Sequence, residues 1–288
     1  MKIAVYGSRR QDAHFQEIEA FMKRSAELGF EIVMHPKLYK HLRAVMLPAM
    51  SAVKRVTDAC DFTADAAVSI GGDGTFLRTA MWVGEKEIPI VGINTGHLGY
   101  LTAFGVDRLA EVPDMLMSGT LVAERRGLIE VESPELPTWR YALNEVTVSK
   151  DDSASMINTC ATLDGHLLAE YRADGLIVAT ATGSTAYNLS VGGPIIDPRT
   201  PVWAISPIAA HALTMRPLVV ADSSHLILCP DARAEHFRLT LDGRSVSLPV
   251  GTKVSLRRAP FEVVQLHLPS TSFGETLRNK LNWGVEGY

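Results

Sequence analysis

Ala66-Ala67-Val68-Ser69-Ile70-Gly71-Gly72-Asp73-Gly74-Thr75 is the stretch on which the fold turns. Its apolar run is short and bounded by glycine, which reads as a buried strand. Two glycines follow at once, and a helical pattern opens near Thr75. Glycines in that place let backbone N–H groups face outward, and a helix N-terminus adds partial positive charge. Together they suit a phosphate. An Asp inside such a cradle would repel phosphate. It has a use if it holds a divalent cation or accepts a proton from an attacking hydroxyl. No Gly-Lys-Ser/Thr follows, so the stretch is not a Walker A loop, and the spacing is not Gly-x-Gly-x-x-Gly. A tight strand-to-helix turn with a surface Asp is the plainer alternative.

Working outward, residues 2–6 read as a strand ending at Gly7. Asp12 is placed to cap a helix whose apolar face carries Phe15, Ile18, Met22 and Ala26. Gly29 stops it, and residues 30–34 form the next strand. A second helical stretch is expected over 38–57, broken or bent at Pro48. Residues 88–93 read as a strand again. Strands alternating with helices imply a parallel sheet covered on both faces.

After about residue 120 the pattern changes. Strand-like runs cover 128–132, 139–150, 157–163, 166–173, 176–180, 202–205, 226–229, 237–241, 246–248, 253–257 and 262–268. Asp164-Gly165 and Asp242-Gly243 each sit between two such runs, as type I′ hairpin turns require. Ser272-x-x-Glu275 has the form of a capping box, with Leu277 and Leu281 on one helix face. The expected fold class is an α/β N-terminal domain at 1–120, to which residues 269–288 return. A β-rich, sandwich-like domain is expected over 121–268.

Composition bounds the partners. Hydrophobic residues make up 47% and charged residues 21% of the 288, enough apolar surface for packed cores and typical of soluble globular chains. Lys plus Arg is 28 against 32 Asp plus Glu, a formal charge of -4, which speaks against a strongly basic nucleic-acid binder. Cys60, Cys160 and Cys229 are scattered along the sequence and form neither a disulfide framework nor a zinc motif. The start of the chain lacks a signal-peptide shape, since Ser8-Arg9-Arg10 follows its apolar run at once. No run approaches the ~20 apolar residues of a membrane span. The expectation is a cytoplasmic protein with neither nucleic acid nor membrane as partner.

Three further segments carry chemistry. Asn94-Thr95-Gly96-His97-Leu98-Gly99-Tyr100-Leu101 follows a strand, where open α/β sheets bind ligands. Asn144-Glu145 interrupts an apolar strand. A polar pair there must be exposed, paired or functional, and Asn with Glu suits ribose hydroxyls or a base edge. The run from Arg172 through Asp174-Gly175 to Thr182-Gly183-Ser184-Thr185-Ala186-Tyr187-Asn188-Leu189-Ser190 gathers hydroxyls and glycines after a buried strand. Such groups can line a polar nucleoside pocket. A Ser/Thr-rich loop and a core-filling Tyr are the simpler alternatives.

Gly-Gly-Asp-Gly-Thr resembles the signature shared by NAD kinases, diacylglycerol and sphingosine kinases and, more loosely, phosphofructokinases. With Asn94–Leu101, Asn144-Glu145, Asp174-Gly175 and Thr182 through Tyr187 in the same order, the whole chain resembles the NAD kinase family, specifically its bacterial members. One departure is Ala181, where the family usually has Pro. The resemblance implies transfer of a phosphoryl group from ATP to the 2′-hydroxyl of the adenosine ribose of NAD, with a divalent cation, usually Mg²⁺. It implies an active site between the domains and a homodimer or homotetramer with NAD near a subunit interface. It makes Asp73 the proton acceptor or hydroxyl-orienting group. Gly71, Gly72, Gly74, Thr75 and Arg78 become the ATP phosphate site. Asp73, Gly74, Asn144, Glu145, Arg172, Asp174, Thr185, Ala186, Tyr187, Asn188, Leu189, Ser190, Ala209 and Arg244 become the NAD site. Metal ligands are not assigned. Within the family a basic residue at Arg172 goes with preference for oxidised NAD, and its spacing from Asp174 in an extended strand would let the two pair. A lipid or sugar kinase of the same superfamily, or a non-catalytic NAD-binding regulator, are the alternatives.

Overall fold

Residues 1–7, 11–43, 47–96, 99–134, 136, 138–151 and 156–284 are described by the structure, a computed structural model. Ser8-Arg9-Arg10 and His97-Leu98 lie outside them. The chain divides into two compact units, Met1–Arg125 with Val263–Tyr288, and Arg126–Glu262.

In the first unit β1 (Lys2–Gly7), β2 (Glu31–Met34), β3 (Val53–Val56), β4 (Ala66–Ile70) and β5 (Ile90–Asn94) are all parallel, in the order β5-β4-β1-β2-β3. Every residue of β4 and β5 is buried, the pattern of strands covered on both faces. The helices between them are α1 (Phe15–Glu27), α2 (Pro36–Leu42) and α3 (Asp73–Val83). Ile18, Phe21 and Met22 of α1 pack with Val5, Ile32 and Val68 of the sheet, each such side chain contributing ~1.5–3 kcal/mol by leaving water. Beyond β5 come β6 (Phe104–Gly105), parallel to it, and α4 (Val112–Ser118).

Two expectations are corrected here. Asp12 opens a short 3₁₀ turn, and α1 begins at Phe15 with His14 at the N-cap and no side-chain cap. The helix expected over 38–57 ends at Leu42. A 3₁₀ turn at Leu47–Ala52, containing Pro48, leads into β3. That strand is charged and largely exposed, an edge whose pairing to β2 decides its form more than its own pattern does.

In the second unit the chain enters along β7 (Val122–Glu132). A six-stranded antiparallel sheet is built from β9 (Glu145–Lys150), β12 (Gly175–Thr180), β13 (Val202–Ile208), β14 (Leu218–Ala221), β16 (His236–Leu241) and β17 (Arg244–Pro249), in the order β14-β13-β12-β9-β16-β17. Against it stand β10 (Ile157–Leu163), β11 (His166–Ala173), β15 (Leu226–Ala232) and the first part of β18 (Val254–His267), also antiparallel. Val146, Val178, Trp203 and Leu239 of the first set share one core with Ile157, Leu228 and Leu256 of the second. Both Asp-Gly turns adopt the expected form, with φ +50 and +82 at Asp164-Gly165 and +46 and +77 at Asp242-Gly243.

The run expected over 139–150 is two strands, β8 (Tyr141–Ala142) and β9, interrupted at Leu143-Asn144. The runs at 253–257 and 262–268 are one strand, β18. β6, β14 and α4 had no clear signal in the sequence. The helix expected near Thr185 is a 3₁₀ turn, Thr182–Thr185, and a single-turn α5 (Tyr187–Ser190). Cys160 and Cys229, distant in sequence, stand opposite each other on β10 and β15 as free thiols.

The chain returns to the first unit within β18, where Gln265 and Leu266 pair in parallel with β5. α6 (Phe273–Leu281) follows, with Leu277 buried and Ser272 Oγ accepting the Glu275 N–H at 3.1 Å. Among the described residues no helix is long and apolar enough to cross a membrane.

Candidate active site

The neighbouring parallel strands β4 and β5 both end in loops at their C-terminal edge, and those loops meet. Gly71, at φ +149, makes the turn out of β4, and its N–H is held by Ile93 O at 2.9 Å. A Cβ there would strike the Thr75 side chain, so only glycine fits. Gly72 is the N-cap of α3, and Asp73 and Gly74 form its first turn, where the helix dipole and outward N–H groups favour an anion. Arg78, one turn on and exposed, donates to Thr75 Oγ1 at 3.3 Å. Gly71, Gly72, Gly74, Thr75 and Arg78 are thus gathered in one place.

Asp73 does not point freely into solvent. Its Oδ2 accepts the Tyr100 N–H at 2.7 Å, and its Oδ1 accepts the Leu101 N–H at 3.1 Å and the Thr102 hydroxyl at 3.0 Å. Thr102 Oγ1 in turn accepts from Asn94 Nδ2 at 2.8 Å and from the Gly99 N–H at 3.1 Å. Gln265 of β18 holds Leu101 O at 3.0 Å. The loop approaches so closely that a Cβ on Gly99 would collide with the Asp73 carboxylate. A carboxylate has about four lone-pair positions. Among the described residues three are occupied, which leaves one on Oδ2 for a ligand. Burial and the Asp73 charge both push the Tyr100 phenol pKa up, and its Oη is buried without a partner among the described residues. Lys280 of α6 is half-buried; burial lowers its pKa, while the Asp73 charge opposes that shift.

In the second unit Asn144, Glu145 and the Thr182–Ser190 turn come together at the Thr180 end of β12. Thr180 Oγ1 donates to Leu143 O at 2.6 Å and accepts the Gly183 N–H at 3.0 Å. Gly183 lies against the Asn144 backbone, where a Cβ would collide. Glu145 accepts a hydrogen bond from the Tyr187 N–H, while its Oε2 is buried without a partner among the described residues. Burial, then the nearby Asp242 charge, push its carboxyl up to about 7, with the Tyr187 N–H opposing. Tyr187 is 45% exposed, and Thr185, Ala186, Leu189 and Ser190 are also at least partly open. Asn188 is different. It is fully buried, its Nδ2 donates to Ser184 O and Pro194 O, and its Oδ1 accepts from Ser206. Its side-chain amide is thus engaged inside the turn, unlike the open side chains around it.

Arg172, Asp174 and Ala209 lie at the other end of β12. Six residues of strand separate the two groups, ~17 Å at ~3.4 Å per step. Ala209 carries φ +50, unusual for alanine. Arg172 is exposed on β11, and Asp174 follows the end of that strand in a bend. The partner of Asp174 is Lys150, whose Nζ lies 2.8 Å from its Oδ1. The expected Arg172–Asp174 pairing is therefore replaced by a lysine pair. Arg244 lies just after the Asp242-Gly243 turn. It is partly buried and donates to Trp139 O and Tyr141 O at 2.8 Å each.

Sequence reasoning missed the groups that hold these sites. Thr102, Gln265 and Lys150 sit outside any glycine or hydroxyl cluster, and only tertiary contact reveals them. Asp242 had a signal, since Asp-Gly marks the turn, but the signal spoke of backbone shape and not of what the carboxylate would hold.

A carboxylate-bearing glycine turn at a helix N-terminus, together with an antiparallel unit offering a buried carboxyl beside an open hydroxyl-rich turn, defines a nucleotide-dependent phosphotransferase. The N-terminal domain model of ATP-NAD kinases matches residues 10–121, and the C-terminal domain model matches residues 143–268. An NAD kinase of Porphyromonas gingivalis is 41% identical over 99% of this chain and 98% of its own. One of Bacteroides fragilis is 37% identical over 99% of each. Among solved structures, yeast NADH kinase complexed with NADH superposes with a TM-score of 0.89 at 21% identity, covering 100% of this chain and 89% of that one, a likeness of fold. An NAD kinase from Archaeoglobus fulgidus in complex with ATP gives 0.74 at 25% identity, covering 98% and 97%. The chain belongs to the ATP-NAD kinase family.

Proposed function

We propose that this chain transfers the terminal phosphoryl group of ATP to the 2′-hydroxyl of the adenosine ribose of NAD, releasing ADP and NADP. The observation that carries the reading is Asp73, a carboxylate fixed by three hydrogen bonds within a phosphate-type helix turn. The α3 N-terminus with Gly71, Gly72, Gly74, Thr75 and Arg78 serves the ATP phosphates. The free position on Asp73 Oδ2 takes the proton of the attacking hydroxyl. Phosphoryl transfer has a loose transition state, so a well-placed carboxylate suffices although it is a weak base.

Glu145, with its unpartnered buried oxygen, Asn144 and the turn from Thr185 through Tyr187 to Ser190 serve the adenosine half of NAD. Asp174, with Arg172 and Ala209 beside it, serves the rest of the dinucleotide. Among the described residues no three His, Cys, Asp or Glu side chains cluster as a metal cage. A Mg²⁺-like cation takes most of its ligands from phosphate and water and needs only one or two carboxylates. A bound cation would take its ligands mainly from the ATP phosphates and water and would neutralise charge on the transferring group, leaving Asp73 Oδ2 to the attacking hydroxyl. A cytoplasmic homodimer or homotetramer is the form proposed, by its resemblance to the bacterial members.

The test is a coupled assay for NADP from NAD, ATP and Mg²⁺, run beside 2′-deoxy NAD. NADP from the first and no phosphorylated product from the second is expected. Phosphate on a 3′-hydroxyl, or turnover only with lipids or sugars, would overturn the reading.

A further inference from the structure

Asp242 lies in the β16–β17 turn, far in sequence from the Asn144-Glu145 pair, yet its carboxylate is spent on that pair's backbone. Oδ2 accepts the Leu143 N–H at 2.8 Å, and Oδ1 accepts the N–H groups of Asn144 at 2.8 Å and Glu145 at 3.2 Å. The Asp242 N–H returns the contact to Glu145 O at 3.2 Å. Two residues on, Arg244 grips Trp139 O and Tyr141 O. The turn thus holds the chain on both sides of the break between β8 and β9. Without that break Asn144 would continue a pleated strand, paired on both edges. With it, Glu145 sits beside the Tyr187 N–H with one buried oxygen unpartnered among the described residues.

We propose that Asp242 is a positioning residue for the dinucleotide: it fixes the backbone that presents Asn144 and Glu145 to a sugar hydroxyl, and it sets its own carboxylate beside that of Glu145. The inference rests on the NAD-binding reading of this unit. The groups that act on Glu145 are Asp242 from the β16–β17 turn and the Tyr187 N–H from α5, while Arg244, just beyond the turn, acts on Asp242. Asp242 is partly buried, and desolvation raises its own pKa against three N–H donors and the Arg244 charge. Its like charge and the burial of Glu145 both disfavour a second carboxylate. Ribose hydroxyls bond best to the ionised form, a pure acceptor. NAD binding therefore releases a proton from Glu145, and the affinity rises with pH through about 7.

The experiment is the pH profile of kcat/KM for NAD in wild type, Glu145→Gln, Asp242→Asn and Asp242→Ser, with circular dichroism to verify folding. In wild type the profile rises through about 7, and Glu145→Gln removes that inflection. Both Asp242 variants raise KM for NAD about tenfold and move the inflection down by about one pH unit. A raised KM with the inflection unmoved would reduce Asp242 to a structural brace and overturn the inference. Should neither Asp242 variant fold, the ¹³C resonance of the Glu145 carboxyl in wild type decides, and titration in the ordinary carboxylate range refutes the coupling. Absence of NADP formation by the wild type would sink the functional reading instead, a distinct outcome.

Discussion

Replacing Asp73 with Asn separates chemistry from architecture at the phosphate turn. The side chain keeps its shape and one acceptor oxygen. That oxygen can still serve Leu101 N–H and the Thr102 hydroxyl, but the new NH₂ faces the Tyr100 N–H that now lies 2.7 Å from Oδ2. One hydrogen bond to a charged acceptor is lost, about 1.5–3 kcal/mol. The unit concerned spans residues 1–125 and 263–288; at about 2–4 °C per kcal/mol for a domain of that size, its melting temperature falls by roughly 3–12 °C. Turnover falls much further, by about 10²–10⁴, the usual worth of a positioned acid or base. The control is Thr102→Val. It removes one donor to Asp73 and strands Asn94 Nδ2 and the Gly99 N–H, costing about 1–3 kcal/mol while leaving the carboxylate in place. Thermal melts and saturating-substrate kcat should show similar losses of stability and very different losses of turnover. Near-normal kcat in Asp73→Asn would refute its chemical role. Equal kcat losses in the two variants would show that loop collapse, and not the missing carboxylate, is responsible.

Gly99→Ala changes no reactive group, yet its Cβ collides with the Asp73 carboxylate; kcat is expected to fall at least about tenfold with KM for ATP nearly unchanged, and a wild-type kcat would show that the loop can retreat harmlessly. Glu145, whose carboxyl is raised to about 7, binds its proton more tightly folded than unfolded, so its stabilising contribution is complete below about pH 4.5 and is lost as pH rises through about 7. Glu145→Gln should therefore stabilise the fold at pH 8 by on the order of 3 kcal/mol, seen as a higher melting temperature, and change it little at pH 4.5; an equal shift at both values would contradict the assignment. Lys150→Met removes a half-exposed ion pair with Asp174 and should cost less than about 1 kcal/mol of stability while raising KM for NAD severalfold, whereas an unmoved KM would detach Asp174 from the dinucleotide.

Local pattern was enough for β4 and β5, which are apolar throughout and end in glycine-rich turns. It was enough for the two Asp-Gly hairpins, where backbone conformation demands those residues. It failed where a partner decides the outcome. Val53-Lys54-Arg55-Val56 becomes a strand only because β2 offers an edge. The run through Asn144 breaks only because Asp242, about a hundred residues away, pulls its N–H groups aside. The site shows the same division. Gly71, Asp73 and the Thr182–Tyr187 turn announce themselves by residue type, while Asn188 carries the same signal and turns inward to the Ser206 hydroxyl. Asp174 was visible, but its partner Lys150 was not, since alternation along one strand says nothing of the neighbouring strand.

The first unit is discontinuous in sequence, and this has a bearing on how the protein is born. During synthesis the ribosome delivers β1 to β5 and the glycine turn early, but Gln265, which holds Leu101 O beside Asp73, belongs to β18. Residues 126–262 must emerge in between, a delay of roughly 7–27 s at ~5–20 residues per second. Through that interval the nascent chain carries the phosphate turn without the brace for the loop that aims its carboxylate. β18 thus reaches β5 late, on the edge that β6 covers only in part, and a chain interrupted before residue 263 would hold the nucleotide-facing parts of the site without the support that orders them.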